Sequence, residues 1–155
     1  MRYISDNKYE YNGGIWSMGN YYDTKCLDCE YEFHAVYGRS GNSQKENKVV
    51  KSIEDGNRTN ELALVYKTME RPRIEVNSVP FFCKHCRKLF NYDVTLVCGK
   101  YGTYEEKIAH CPDCNEISYL PIPQTVFMKQ ERKSCCPCPK CNGSGFVVTK
   151  SGIYD

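Results

Sequence analysis

Several things that would point to an enzyme or a membrane protein are missing from this chain. No run approaches the roughly 20 apolar residues that cross a bilayer, and the opening MRYISDNKYEYNGG lacks the apolar core of a secretory signal. A cytoplasmic, reducing setting is therefore expected. Histidine is scarce, at 3 residues, and none begins the H-x-E that a zinc deaminase places ahead of P-C-x-x-C. G-x-S-x-G, the phosphate-binding P-loop and the dinucleotide fingerprint do not occur either. No catalytic constellation is in view, and catalysis is not expected. Charge of one sign is lacking as well: 21 Lys and Arg stand against 19 Asp and Glu, a formal +2 at pH 7. Non-specific nucleic-acid affinity needs an excess of Lys and Arg to displace counterions, and this chain has almost none.

Cysteine, by contrast, is abundant. The 155 residues hold 11 of them, an odd number that excludes complete pairing within the chain. In a reducing compartment such residues serve as thiolates on metal more often than as disulfides. Eight fall into C-x-x-C units: Cys26/Cys29, Cys83/Cys86, Cys111/Cys114 and Cys138/Cys141. The first two read CLDCEYEF and CKHCRKLF, with Phe33 and Phe90 each four residues past the second cysteine. The last two read CPDCN and CPKCN. The chain thus presents two leading halves followed by two closing halves.

Two intervening residues let one tight turn bring both sulfurs to a single ion, with backbone N–H groups aimed at them. Proline after the first cysteine pre-sets φ for that turn, and Asn115, Asn142 and Gly143 suit a left-handed exit. Zinc takes four such ligands in a tetrahedron, at about 2.3 Å. The expectation is two structural Zn2+ per chain, held by Cys26, Cys29, Cys83, Cys86, Cys111, Cys114, Cys138 and Cys141. Each four-thiolate site around a dication carries −2, so two of them would move the formal charge from +2 to −2.

After Cys86, Tyr92, Val94 and Leu96 alternate with Asp93, Thr95 and Val97; CGKYGTY then supplies turn residues before a second run into Cys111. This predicts a β-hairpin between two knuckles. The stretch of about 80–120 resembles the zinc-ribbon group, in which a hairpin-borne C-x-x-C shares one zinc with a second C-x-x-C. The resemblance implies a fold and leaves function open. Four pairs can be matched sequentially, cross-braced or nested. Loop closure favours the nested match, which joins 83/86 to 111/114 across the short hairpin. CPKCNGSG, at 138–145, also resembles the C-x-x-C-x-G-x-G unit of the DnaJ-type cysteine-rich domain, whose four units pair first with fourth and second with third. Here only the last unit carries the glycines, and no HPD tripeptide accompanies it. Cys98, Cys135 and Cys136 are surplus, although Cys135 also stands at C-x-x-C spacing from Cys138 and could substitute as a ligand. Cys98 follows an apolar strand and reads as a small buried hydrophobe; a third metal site from these three and a histidine is the alternative.

Elsewhere, KYEYNGGIW alternates about an Asn-Gly-Gly turn and predicts a hairpin rich in aromatics. Residues 38–60 read as a polar surface excursion with a short helix over KENKVVKSIE. Leu62, Val65, Tyr66 and Met69 follow a helical period behind a Thr59 or Asn60 cap and end before Pro72, although LALVY also suits a strand. The tail GFVVTKSGIYD reads as a final hairpin. Together these predict a small β-rich α+β zinc-binding protein with zinc-ribbon hairpins and one or two short helices. It is expected as a single compact unit over 1–155, with an inner ribbon at about 80–120 set between outer halves at 1–37 and 130–155.

The expected role is non-catalytic: a regulator, adaptor or inhibitor that binds a partner protein, with the Tyr-, Asn- and Lys-rich texture of a bacterial or bacteriophage accessory protein. Tyr9, Tyr11 and Trp16, with Lys84, Arg87 and Lys88, are the candidate partner surface, since aromatic and arginine side chains concentrate at contact centres. Lys129, Arg132 and Lys133 add a second basic cluster. A nucleic-acid-binding ribbon, with tyrosines stacking on bases, is the first alternative. A DnaJ-like chaperone or thiol-exchange accessory is the second.

Overall fold

A computed structural model describes residues 3–4, 19–39, 43–106, 108–118, 121–128, 138–143 and 145–154. In chain order the elements are β1 (Tyr3–Ile4), β2 (Gly19–Cys26), β3 (Glu32–Tyr37), α1 (Gln44–Glu54), α2 (Glu61–Thr68), β4 (Arg73–Cys83), β5 (Lys88–Gly99), β6 (Gly102–Glu105), β7 (Ala109–His110), β8 (Ile117–Ser118), α3 (Thr125–Met128) and β9 (Phe146–Tyr154). They form three antiparallel sheets, ordered β1-β6-β5-β4, β3-β2-β9 and β7-β8.

Three of the four C-x-x-C units are themselves the turns of hairpins. Cys26–Cys29 joins β2 to β3, with Lys25 opposite Glu32. Cys83–Cys86 joins β4 to β5, with Cys83 opposite Lys88. Cys111–Cys114 joins β7 to β8, with His110 opposite Ile117. Three of the four units share one closure. The N–H of the first cysteine donates to the carbonyl five residues on, from Cys26 to Tyr31 (2.8 Å), Cys111 to Glu116 (2.9 Å) and Cys138 to Gly143 (3.0 Å). The fourth unit therefore has the same shape, although β9 pairs with β2 instead of folding back on the unit.

The hairpin expected between the second and third knuckles is present as β5 and β6, with Gly99 opposite Gly102. The pattern did not mark β4. Glu75 and Asn77 interrupt its apolar run, and Pro80 argues against a central strand. Proline is accommodated because β4 is an edge of its sheet, and the Pro80 carbonyl still accepts from Ile122 N–H at 2.8 Å.

The four-stranded sheet is covered on both faces, which is why Val94, Thr95, Leu96 and Val97 are all buried despite their alternation. On one face Ile74, Val76, Val97 and Tyr104 meet Ile53 of α1 and Leu62, Ala63 and Val65 of α2. On the other, Val79, Phe81, Phe90, Val94 and Leu96 meet Ala35, Tyr37, Phe127 and Phe146. The helical period at 62–69 prevails over the strand alternative, and Asn60 caps α2 by accepting from Ala63 N–H at 3.3 Å. The helix expected over KENKVVKSIE is α1; its Glu46 is buried against Arg39 at 2.9 Å.

One expectation is corrected. The tail is a single strand, β9, paired along β2 from Gly19–Tyr154 to Cys26–Phe146, with a register shift near Asp23. Gly152 makes room for a ring and does not turn the chain: a Cβ there would lie 2.6 Å from Cε1 of Tyr21. The hairpin expected over KYEYNGGIW lies outside the described residues. Among those described, no helix is long and apolar enough to cross a membrane.

Candidate metal centres

The fold gathers the eight cysteines of the C-x-x-C units into two quartets, Cys26/Cys29/Cys138/Cys141 and Cys83/Cys86/Cys111/Cys114. Within each, the four sulfurs lie within 4.8 Å of one another. This is the nested pairing. The sequential and cross-braced matches do not occur.

Their spacing fits one ion per quartet. Sulfurs on a tetrahedron with bonds of about 2.3 Å stand about 3.8 Å apart. The outer quartet has Cys26 Sγ to Cys141 Sγ at 3.6 Å and Cys29 Sγ to Cys138 Sγ at 3.6 Å. The inner quartet has Cys83 Sγ to Cys114 Sγ at 3.5 Å and Cys86 Sγ to Cys111 Sγ at 3.9 Å. All eight are free thiols. Each quartet can hold a metal ion.

The turns aim amide hydrogens at the sulfurs. Asp28 N–H points to Cys26 Sγ (3.4 Å), Tyr31 N–H to Cys29 Sγ (3.5 Å), Cys86 N–H to Cys83 Sγ (3.3 Å) and Gly143 N–H to Cys141 Sγ (3.3 Å). The backbone bends for this purpose. Arg87, Asn115 and Asn142, each next after the second cysteine, take φ of 52°, 60° and 59°. The two asparagines were legible as left-handed exits; Arg87 was not, because arginine has no special ease there.

Four sulfurs this close cannot all ionise without a cation. Its hydrogen bond to Cys114, with burial, pushes the Cys86 thiol up to about 12. Cys141 is also pushed up to about 12: the Gly143 N–H favours its thiolate, but burial and the sulfurs of Cys26, Cys29 and Cys138 outweigh it. Cys111 goes the other way, to about 7, because the N–H groups of Cys114 and Asp113 and the Cys83 thiol outweigh its burial. A dication resolves this conflict by displacing the remaining protons.

Seven of the eight sulfur-bearing residues are buried or half-buried; Cys141 is exposed. Both quartets border the same apolar cluster. Phe33 and Phe90, equivalent in the two leading halves, both reach it, and Phe90 stacks on Phe81 at 5.9 Å between ring centroids. Tyr31 was not singled out by the spacing. Its hydroxyl accepts from Leu89 N–H at 3.3 Å and so ties the outer leading knuckle to the inner hairpin. The signal available was an aromatic two residues past Cys29.

The remaining candidates divide. Lys84, His85 and Arg87 are exposed on the inner knuckle. Lys88 is engaged by the Asp113 carboxylate, so it serves the knuckle it was expected to advertise. Tyr9, Tyr11, Trp16, Cys135, Cys136, Lys129, Arg132 and Lys133 lie outside the described residues. Cys98 belongs to neither quartet; it is half-buried, and burial with the Glu75 carboxylate raises its thiol above the ordinary range. The histidines also stand apart from both quartets. His34 Nδ1 meets Asp23 Oδ1 at 2.5 Å.

No protein-family model matches the chain, and neither does any curated protein or solved structure. Function must be argued from the sites themselves.

Proposed function

We propose that the chain is a non-catalytic zinc protein of zinc-ribbon type that binds a partner protein as a small regulator, adaptor or inhibitor. The observation that carries this reading is the closed character of both quartets. Four sulfurs converge on each ion position, and a tetrahedral four-thiolate site has no place for a substrate or an activated water. The ligand set favours zinc over harder cations, since thiolate is a soft donor. What the ions then supply is shape: they fix hairpin turns and present knuckle tips to solvent. Leu27 is half-exposed at the outer tip, while Lys84, His85 and Arg87 are exposed at the inner one.

The test is affinity capture with the full chain and with a Lys84→Glu/Arg87→Glu variant. A stoichiometric protein partner, lost with the double variant, is expected. Capture of nothing stoichiometric, or of a partner indifferent to both substitutions, would overturn the reading. A nucleic-acid role would draw on the same two side chains and would show as a salt-sensitive mobility shift. Engagement of Lys88 by Asp113 weakens that alternative by removing one cation from the rim.

A further inference from the structure

The two quartets differ in how they face solvent. The inner one, Cys83/Cys86/Cys111/Cys114, has two buried and two half-buried ligands. The outer one has Cys26 and Cys138 buried, Cys29 half-buried and Cys141 exposed. Ligand substitution at a closed tetrahedral zinc starts where an incoming donor can reach the ion, and only the outer quartet offers an exposed ligand on that route.

A carboxylate also stands at its mouth. Cys141 is backed by Gly143, whose N–H points to Cys141 Sγ at 3.3 Å. A Cβ at Gly143 would lie 2.3 Å from Asp28 Oδ2 and 3.0 Å from Cys141 Sγ. The Asp28 carboxylate therefore reaches across from the leading half to the turn that carries Cys141. This places an anionic oxygen at the mouth, a natural docking point for a dication moving in or out. The rim of the inner quartet carries Lys84 and Arg87 as well as Asp113, whose carboxylate is engaged by Lys88.

Backbone hydrogen bonds that involve no ion also join the outer halves. The β2–β9 ladder runs to Cys26 opposite Phe146, and Cys26 N–H and Leu27 N–H bond Tyr31 and Gly145. An emptied outer quartet therefore remains in register for reloading.

We propose that the outer quartet is an exchangeable metal site and the inner one a permanent structural site. In the exchange step an incoming thiolate or carboxylate donor bonds to the ion as the Cys141–metal bond breaks. Cys141 leaves with its electron pair and takes a proton from water, and no electrons change hands. Successive substitutions at Cys138, Cys29 and Cys26 release the ion to the competitor. The metal content of the chain thereby answers to the supply of free zinc and competing ligands, while the β2–β9 ladder keeps the halves in register. This rests on the reading that both quartets hold metal.

The test uses the full chain as purified, under reducing conditions. Native mass spectrometry counts the ions; a short EDTA pulse follows, then N-ethylmaleimide and mapping of the labelled cysteines. Two ions at the start, one after the pulse, and label on Cys26, Cys29, Cys138 and Cys141 at least about tenfold ahead of Cys83, Cys86, Cys111 and Cys114 is the expected result. Two ions at the start with the inner quartet labelled first, both labelled together, or neither released would overturn the proposal. No ions at the start would instead overturn the underlying reading of the quartets as metal sites.

Discussion

At the residue scale, the left-handed positions after the second cysteines carry the sharpest consequences. Arg87 sits at φ 52° with a Cβ that this region penalises by about 1–2 kcal/mol. Glycine there relieves that strain and costs some unfolded-state entropy in return. Arg87→Gly is expected to stabilise the loaded protein by about 0.5–1 kcal/mol, read as a higher denaturant midpoint with unchanged slope. The same change at Asn115 or Asn142 should gain less, since asparagine tolerates this conformation. Cysteine identity divides as clearly. Cys111→Ser or Cys83→Ser removes one of four ligands, and structural zinc binding is worth about 10–16 kcal/mol, comparable to the whole stability of a domain. Each should lose the inner ion and its protease resistance. Cys98→Ser, outside both quartets, should keep two ions and melt within a few degrees of the parent. Much of this was legible, because C-x-x-C spacing and the repeated CPxCN name the ligands directly. Tyr31 and Asp28 were not, since nothing in a linear pattern says which side chain crosses from one knuckle to another.

At the element scale, β5 and its turn into β6 could be read from alternation, and α2 from its helical period and Asn60 cap. β4 could not, because its buried polar residues depend on neighbours: Glu75 meets Arg73 at 2.5 Å from two positions away on the same face. The tail misled because Ser-Gly usually marks a turn, whereas here Gly152 yields space to Tyr21. Where β4 and β5 carry the load, Phe81 is the center of it. It is fully buried, stacked on Phe90 and edge-on to Tyr92 at 6.2 Å. Phe81→Ala is expected to cost about 3–5 kcal/mol in the metal-loaded chain, measured by denaturant unfolding. A loss below about 1 kcal/mol would mean that the sheet face does not pack as described.

At the scale of the whole molecule, metal and pH act together. Loading requires thiolates, so protons compete with the ion and the loaded chain should lose metal and stability on acidification. The metal-free chain should behave differently. Cys86 and Cys141, raised from an ordinary value of about 9 to about 12, bind more protons folded than unfolded. Their contribution is present below about 9 and is lost as pH rises toward 12. Cys111, lowered to about 7, contributes above about 9 and loses that contribution as pH falls through 7. Melting temperature against pH is therefore expected to fall on acidification without EDTA, and prolonged EDTA that empties both quartets should lower it throughout, with what stability remains greatest on the alkaline side of neutral. A chain that melts identically in both conditions across the range would carry no stabilising ion.

The nesting of the quartets also bears on biosynthesis. A ribosome releases Cys26/Cys29 and then Cys83/Cys86 before either rightful mate has emerged. For that interval two orphan half-sites share one nascent chain, and a zinc ion bridging them would satisfy four sulfurs in the wrong partnership. Emergence of Cys111/Cys114 must then evict an intruder before the hairpins can close. Refolding in the test tube should accordingly slow as free zinc is raised, an inhibition by the very ion that the finished molecule requires.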